Sequence, residues 1–274
     1  MPFLSLLPTL GREVVEVPAV PDAQGRPALD LAGIARAFEQ GASLLVLCNP
    51  WNPLGRVLDR ASLVALAEVV DRAGGRVFAD EIHAPVLFGG RMHVPYASVS
   101  DAAAAHAMTA LSASKAFDLP GLKCAQLVIT NDADAAVFDE VGFWSVRGAS
   151  AFGIAASTAA YTDGGPWLDE VLAYLDGNRR RLGELLAEHL PEVGYRSPEG
   201  TYIAWLDARP LGLDEPPAEF LLREAGVALT DGRACGVAGE GHLRLVFATP
   251  RPILERMVLQ MADGVRRHRE RRAA

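Results

Sequence analysis

Three short apolar runs, each stopping at polar residues, constrain this chain more than any other feature. Leu44–Cys48 runs into Asn49-Pro-Trp-Asn-Pro-Leu-Gly55, Arg76–Ala79 into Asp80-Glu-Ile-His83, and Ala107–Leu111 into Ser112-Ala-Ser-Lys115. Apolar runs of strand length without alternation are expected where both faces of a sheet are covered. Helical spacing lies between them. Asp30 can cap a helix carrying Leu31, Ile34 and Phe38, with Gly41 to stop it, and Leu63, Leu66 and Val70 mark another that ends at Gly74-Gly75. This alternation predicts an α/β fold with a parallel, doubly wound sheet, to which Arg12–Val17 and Cys124–Thr130 add strands. In such open sheets ligands bind beyond the carboxyl ends of the strands. An asparagine, an aspartate and a lysine at three such ends therefore predict one shared site.

The pattern changes after about residue 145. Gly164-Gly165-Pro166 breaks the chain, and Trp167 to about Leu190 reads as a long helix with Val171, Leu172, Leu175, Leu182, Leu185 and Leu186 on its apolar face. Shorter strands follow at Thr201–Leu206, Val227–Thr230 and His242–Phe247, with a helix around Pro217–Ala225 and a last one opening at Pro252. The expected organisation is a domain over residues 1–165 and a smaller α+β domain over 166–274. The chain of 274 residues is half hydrophobic, and its net charge of −8 argues against a nucleic-acid binder. No apolar run reaches the roughly 18 residues of a membrane span, and MPFLSLLPTLG makes a poor signal peptide, so a soluble, cytoplasmic protein is expected. The three cysteines, Cys48, Cys124 and Cys235, read as reduced thiols without zinc-ligand spacing. The basic run Arg266–Arg272 reads as a solvated helix end rather than an anion patch.

A lysine just past a strand end can be a surface charge, an ion-pair partner or a nucleophile, and partial desolvation favours the free amine that nucleophilic chemistry needs. Asp80 closes an apolar strand and needs a cationic or hydrogen-bonding partner. A pyridoxal 5'-phosphate (PLP) site requires a lysine, an acid for the pyridine nitrogen and a phosphate cradle, which Ser112, Ser114 and Lys123 could supply. Spacing alone leaves the choice open.

Taken together and in order, NPWNPLGR, FADEIH and SASKAFDLPGLKCA resemble the aminotransferase class I/II superfamily of fold-type I PLP enzymes. EGTYIAWLDAR and HLRLVFATPR are similar to its cystathionine β-lyase (carbon–sulfur lyase, MalY/PatB-type) branch. The resemblance spans essentially the whole chain. It implies an α/β fold with a mainly parallel large-domain sheet and a smaller C-terminal domain, a PLP cofactor, an amino-acid substrate and a homodimer. It implies Lys115 as the Schiff-base lysine and acid/base at Cα, and Asp80 as partner of the ring nitrogen. Asn52 and His83 would address the ring's phenolic oxygen. Ser112 and Lys123, three before and eight after Lys115, would bind the phosphate with Ser114 beside them, and Arg244 would hold the substrate α-carboxylate. Histidine at position 83, where aminotransferases carry tyrosine, favours β-elimination from L-cystathionine or a related cysteine S-conjugate over amino transfer, which remains the alternative.

The bland readings stand beside these. Asn52 could merely stabilise its turn. His93 and His106 read as packed, and Tyr202 and Trp205 as core. Asp80 and Glu81 should point to opposite faces of a strand, which disfavours a metal site. MPFLSLL resembles the segment that follows a P-x-Y-x-PF stretch in the family. The ring-stacking aromatic residue, the phosphate-cradling helix N-terminus, the N-terminal arm and two of seven sheet strands therefore have no counterpart here. The expectation is a piece of a normal lyase, with a short, catalytically inactive binding subunit as the alternative.

Overall fold

The computed structural model describes residues 2–274, apart from the side chains of Pro2, Trp144 and Ser145. Helix α1 (Pro2–Thr9) opens the chain, and a small antiparallel pair follows, β1 (Val20–Pro21) with β2 (Pro27–Ala28). Helix α2 (Leu31–Glu39) starts where Asp30 accepts a hydrogen bond from the Gly33 N–H at 2.8 Å, and Asp59 caps α3 (Arg60–Arg72) in the same way through Ser62. Between and after them run β3 (Leu44–Cys48), β4 (Arg76–Asp80), α4 (Asp101–His106), β5 (Ala107–Leu111) and β6 (Gln126–Ile129). Helices α5 (Asp132–Val141), α6 (Phe143–Val146) and α7 (Ala151–Asp163) lead to the long α8 (Gly165–His189). The remainder comprises β7 (Gly194–Tyr195), β8 (Ile203–Asp207), α9 (Pro217–Ala225), β9 (Thr230–Asp231), β10 (His242–Val246) and α10 (Arg251–Ala273).

The first sheet has the order β3-β4-β5-β6. Strands β3, β4 and β5 are parallel, with Cys48 opposite Asp80 and Asp80 opposite Ala110, so their carboxyl ends lie level. Two expectations are corrected here. The strand order does not reverse, so this sheet winds in one direction, and β6 pairs antiparallel with β5. Leu47, Val77, Ala79 and Ala107 face a core shared with Ile34, Phe38, Leu63, Leu66 and Val70 of α2 and α3. The alternate residues face the other way and stay half-exposed, although Phe3 of α1 packs edge-on against Phe78 at 5.9 Å.

The second sheet, β7-β8-β10-β9, is antiparallel throughout. Leu206, Leu243, Leu245 and Phe247 pack with Leu182, Leu185 and Leu186 of α8, Phe220 and Leu221 of α9, and Leu254, Val258 and Met261 of α10. Val86, Phe88 and Ala116 join this core from the first half of the chain.

Arg12–Val17, expected as a strand, forms no ladder. It lies extended, with Val17 packed on the first core and Glu16 accepting from the Val237 N–H at 2.7 Å. Val227–Thr230 likewise contributes only Thr230 to a strand. The basic run of α10 is neutralised by pairing: Arg266 with Asp263 and Glu270, Arg269 with Glu192, Arg271 with Glu224 and Arg272 with Asp214. Among the described residues, no helix is long and apolar enough to cross a membrane.

Candidate active site

The level carboxyl ends of β3, β4 and β5 set the geometry. After β3, Asn49 is fully buried; its N–H donates to the Asp80 carbonyl at 3.1 Å and its side chain accepts from the Leu58 N–H at 3.0 Å. Backbone bonds between Trp51 and Arg56 and from Gly55 to Trp51 close the turn. The Asn52 amide oxygen is therefore free of that task, and it is buried without a partner. The turn-stabilising reading suits Asn49 rather than Asn52.

Asp80 ends β4 half-buried. Its carboxylate accepts from the Ile82 N–H at 3.3 Å and from the Cys48 thiol at 3.8 Å. Burial raises its affinity for a proton above the ordinary carboxylate range, partly opposed by those hydrogen bonds and the Lys115 charge. The same burial, with the Asp80 charge beside it, pushes the Cys48 thiol up to about 12, so it remains a donor. Glu81 points the other way: 2% exposed, it accepts from the Tyr96 N–H at 2.7 Å and pairs with His93 at 2.8 Å. Among the described residues no three His, Cys, Asp or Glu side chains are grouped to hold a metal ion. His106 is engaged by the Tyr96 hydroxyl at 2.8 Å.

His83 is 5% exposed, and its Nδ1 has no hydrogen-bond partner among the described residues. Burial first, then the Lys115 and Arg244 charges, lower it to about 4, so it is a neutral imidazole at neutral pH. Arg244 lies on β10 opposite Trp205, on the face away from the second core. It touches Thr230 Oγ1 at 3.3 Å, its Nε is buried without a partner, and no carboxylate pairs with it among the described residues.

Lys115 sits half-buried beyond β5. The Ser112 hydroxyl donates to the Cys124 carbonyl at 2.6 Å and accepts from the Ser114 N–H at 3.1 Å, which ties the Lys123 loop to the turn that carries Lys115. Ser112 is thus already engaged within the chain, whereas the side chain of the exposed Lys123 has no ion-pair or hydrogen-bond partner among the described residues, its carbonyl alone accepting from the Ser150 N–H at 3.4 Å. Of 26 basic Lys and Arg residues, these two are the only lysines. Three non-glycine residues adopt left-handed backbone, Asp118 (φ 53°), Lys123 (φ 50°) and Thr201 (φ 68°), and all three lie in segments that flank this region. Such strain persists where the surroundings impose it, often at functional sites.

Lys115 is thus within electrostatic reach of both Asp80 and His83, and Arg244 of His83, while Asn52 lies on the loop after β3, whose carboxyl end is level with that of β4. Tyr202, expected in the core, packs against the second core and also stands against His83, with ring centroids 5.4 Å apart and planes at 67°. Thr201 before it adopts left-handed backbone, and no sequence pattern marks that conformation.

Comparison with known proteins agrees with this arrangement. Residues 7–258 match the family described as Aminotransferase class I and II. A candidate cystathionine beta-lyase of Mycobacterium tuberculosis is 40% identical, over 96% of this chain and 69% of its own length. The cystathionine beta-lyase of Corynebacterium glutamicum is 34% identical, over 96% and 68%. The PLP-bound C–S lyase of Staphylococcus hominis superposes with a TM-score of 0.89 at 27% identity, over 96% of this chain and 69% of its own.

Proposed function

Because the chain belongs to the aminotransferase class I and II family, we propose that it is a PLP-dependent carbon–sulfur lyase. It would cleave L-cystathionine or a related cysteine S-conjugate by β-elimination to a thiol, pyruvate and ammonia. The observation that carries this reading is the grouping of Lys115, Asp80, the neutral His83 and an arginine, Arg244, with no carboxylate partner among the described residues.

The residues suit the cofactor. Buried polar atoms at Asn52 and His83 lack partners, and Lys115 and Lys123 are unpaired among the described residues. Lys115 would hold PLP through its amine, Asp80 would face the ring nitrogen, and Asn52 and His83 the phenolic oxygen. Lys123, with Ser114 and a reoriented Ser112, would face the phosphate. PLP, when bound, withdraws electrons from the substrate Cα and stabilises negative charge there. The protein supplies the rest. Arg244 receives the α-carboxylate in a bidentate fork and fixes which bond at Cα stands over the cofactor. The Lys115 amine takes the Cα proton as general base. Asp80, held in place by Ile82 and Cys48, keeps a proton on the ring nitrogen. His83 is not an imidazolium at neutral pH and so adds no charge of its own beside Lys115.

The same reading divides the chain near residue 165 into a cofactor-binding part and a smaller C-terminal part, and makes it a cytoplasmic homodimer. Exposed apolar residues on α5 to α7, including Val137, Val141, Ile154 and Phe152, support a second copy as the cover of that surface.

The test is to incubate the PLP-supplemented protein with L-cystathionine and assay pyruvate. Pyruvate formation that is lost in Lys115→Ala is expected. Amino transfer to a keto acid without pyruvate would overturn the lyase reading.

A further inference from the structure

We propose that Tyr202 is a positioning residue for His83: a clamped segment of the second half of the chain sets its ring against the imidazole and shields it from water. The inference rests on the reading of His83 as part of the active site.

The clamp is built from Glu199, Gly200 and Thr201. The Glu199 carboxylate accepts two hydrogen bonds from Arg56 (2.6 and 2.5 Å), one from the Val57 N–H (3.0 Å) and one from Arg91 (2.7 Å). The Glu199 and Gly200 N–H groups donate to the Gly55 carbonyl at 2.7 and 3.1 Å. On the other side the Phe88 N–H donates to the Glu199 carbonyl at 3.0 Å, and the Thr201 N–H to the Val86 carbonyl at 2.8 Å. The segment is thus fastened at once to the loop that carries Asn52 and to the residues just after His83. No side chain fits at Gly200, where a Cβ would run into Val57, the Val86 carbonyl and Pro50.

Thr201 follows in left-handed backbone at φ 68°, fully buried, its hydroxyl accepting from the Ile203 N–H at 3.1 Å. A β-branched residue takes that conformation only when neighbours impose it. Tyr202, which follows it, packs against the second core on the side of Ala204 and Leu206 and also reaches His83. The Phe247 N–H holds its carbonyl at 3.0 Å, and its ring meets the imidazole edge-on.

The charges around this pair are Lys115 and Arg244 on His83, and Asp118 and Arg244 on Tyr202. The Tyr202 hydroxyl has no hydrogen-bond partner among the described residues, so the contact is made by the ring. Desolvation is the first cause of the low proton affinity of His83. A ring packed against the imidazole is part of that desolvation, and removing it admits water to a group that water would help to charge.

The experiment compares Tyr202→Phe and Tyr202→Ala with the unmodified protein. Histidine-labelled samples without added PLP are titrated by NMR, and the His83 resonance is identified by its loss in His83→Gln. Unmodified protein and Tyr202→Phe should titrate near pH 4, while Tyr202→Ala should bind the proton at least about tenfold more tightly, a shift of about one pH unit upward. The acid limb of kcat/KM should move in the same order. An unshifted His83 in Tyr202→Ala overturns the proposal, as does a Tyr202→Phe that behaves like Tyr202→Ala. Should the alanine variant melt below the working temperature, Tyr202→Leu takes its place with the same expectation. The titration needs no turnover: absent lyase activity with a shifted His83 would remove the proposed reaction and leave this inference standing.

Discussion

The two cores of this molecule differ in how far they are closed. The second sheet packs its inner face against α8, α9 and α10, and every large residue of that face, from Leu206 to Leu245, is buried. The first sheet is closed by α2, α3 and α4 on one face; on the other, where Phe3 of α1 meets Phe78, Val46, Phe78 and Met108 are half-exposed and Leu127 of β6, opposite Ala110, is exposed. The candidate site residues belong to the less covered sides of both sheets. Asp80 lies on the face of Phe78, and Arg244 on the face turned away from Leu243 and Leu245. One face of each sheet thus stabilises the fold, while the other carries Asp80 and Arg244. The 199–202 segment joins the two.

Breaking that joint should have the largest effect. Glu199 is held below its ordinary range: burial pushes it up, but hydrogen bonds from Val57 and Arg56 and the charges of Arg56 and Arg91 prevail. Glu199→Ala leaves the buried Arg56 guanidinium without its anion, and a loss of about 3–5 kcal/mol in chemical denaturation is expected. Arg269→Ala, which breaks an exposed pair with Glu192, should cost less than about 1 kcal/mol. Equal losses would contradict the role of the joint.

The contrast between the faces predicts the next effect. Leu206→Ala in the closed core should cost about 2–5 kcal/mol, and Leu127→Ala on the open side of β6 about 1 kcal/mol or less. Urea midpoints at constant slope decide it, and a Leu127→Ala loss as large as that of Leu206→Ala would show that this face is covered.

A third effect follows from His83. Its folded-state value of about 4 lies below the 6.5 of an unfolded histidine, so the unfolded chain binds more protons between those limits. Stability should be full above pH 6.5 and fall as pH drops toward 4, by about 3 kcal/mol in total. His83→Gln should remove that part of the slope. A slope unchanged in the variant would mean that His83 is not the buried neutral group described.

Much of the first core is legible from spacing. Asp30, Leu31, Ile34 and Phe38 specify α2, and Leu63, Leu66 and Val70 specify the buried stripe of α3, because one-sided burial imposes helical periodicity. Strand direction is not encoded in periodicity, so the antiparallel β6 could not be read, and Arg12–Val17 alternates without a strand to pair with. Helices α5 to α7 were hidden for a related reason: Val137, Val141, Phe152 and Ile154 are exposed and trace no buried stripe. The site was legible only as an ordered set of motifs around Asn52, Asp80 and Lys115. The contact of Tyr202 with His83 escaped because Tyr202 also packs on the second core, and core packing is all that strand spacing signals.

The central claim is that Lys115 holds PLP at the shared strand ends. The most direct measurement is borohydride reduction of the protein with PLP, followed by mass spectrometry of its lysine peptides, of which there can be only two kinds, since Lys115 and Lys123 are the only lysines. The account predicts the cofactor fixed on Lys115, nothing on Lys123, and no lysine label in Lys115→Ala. Label on Lys123, or none on either lysine, would contradict it.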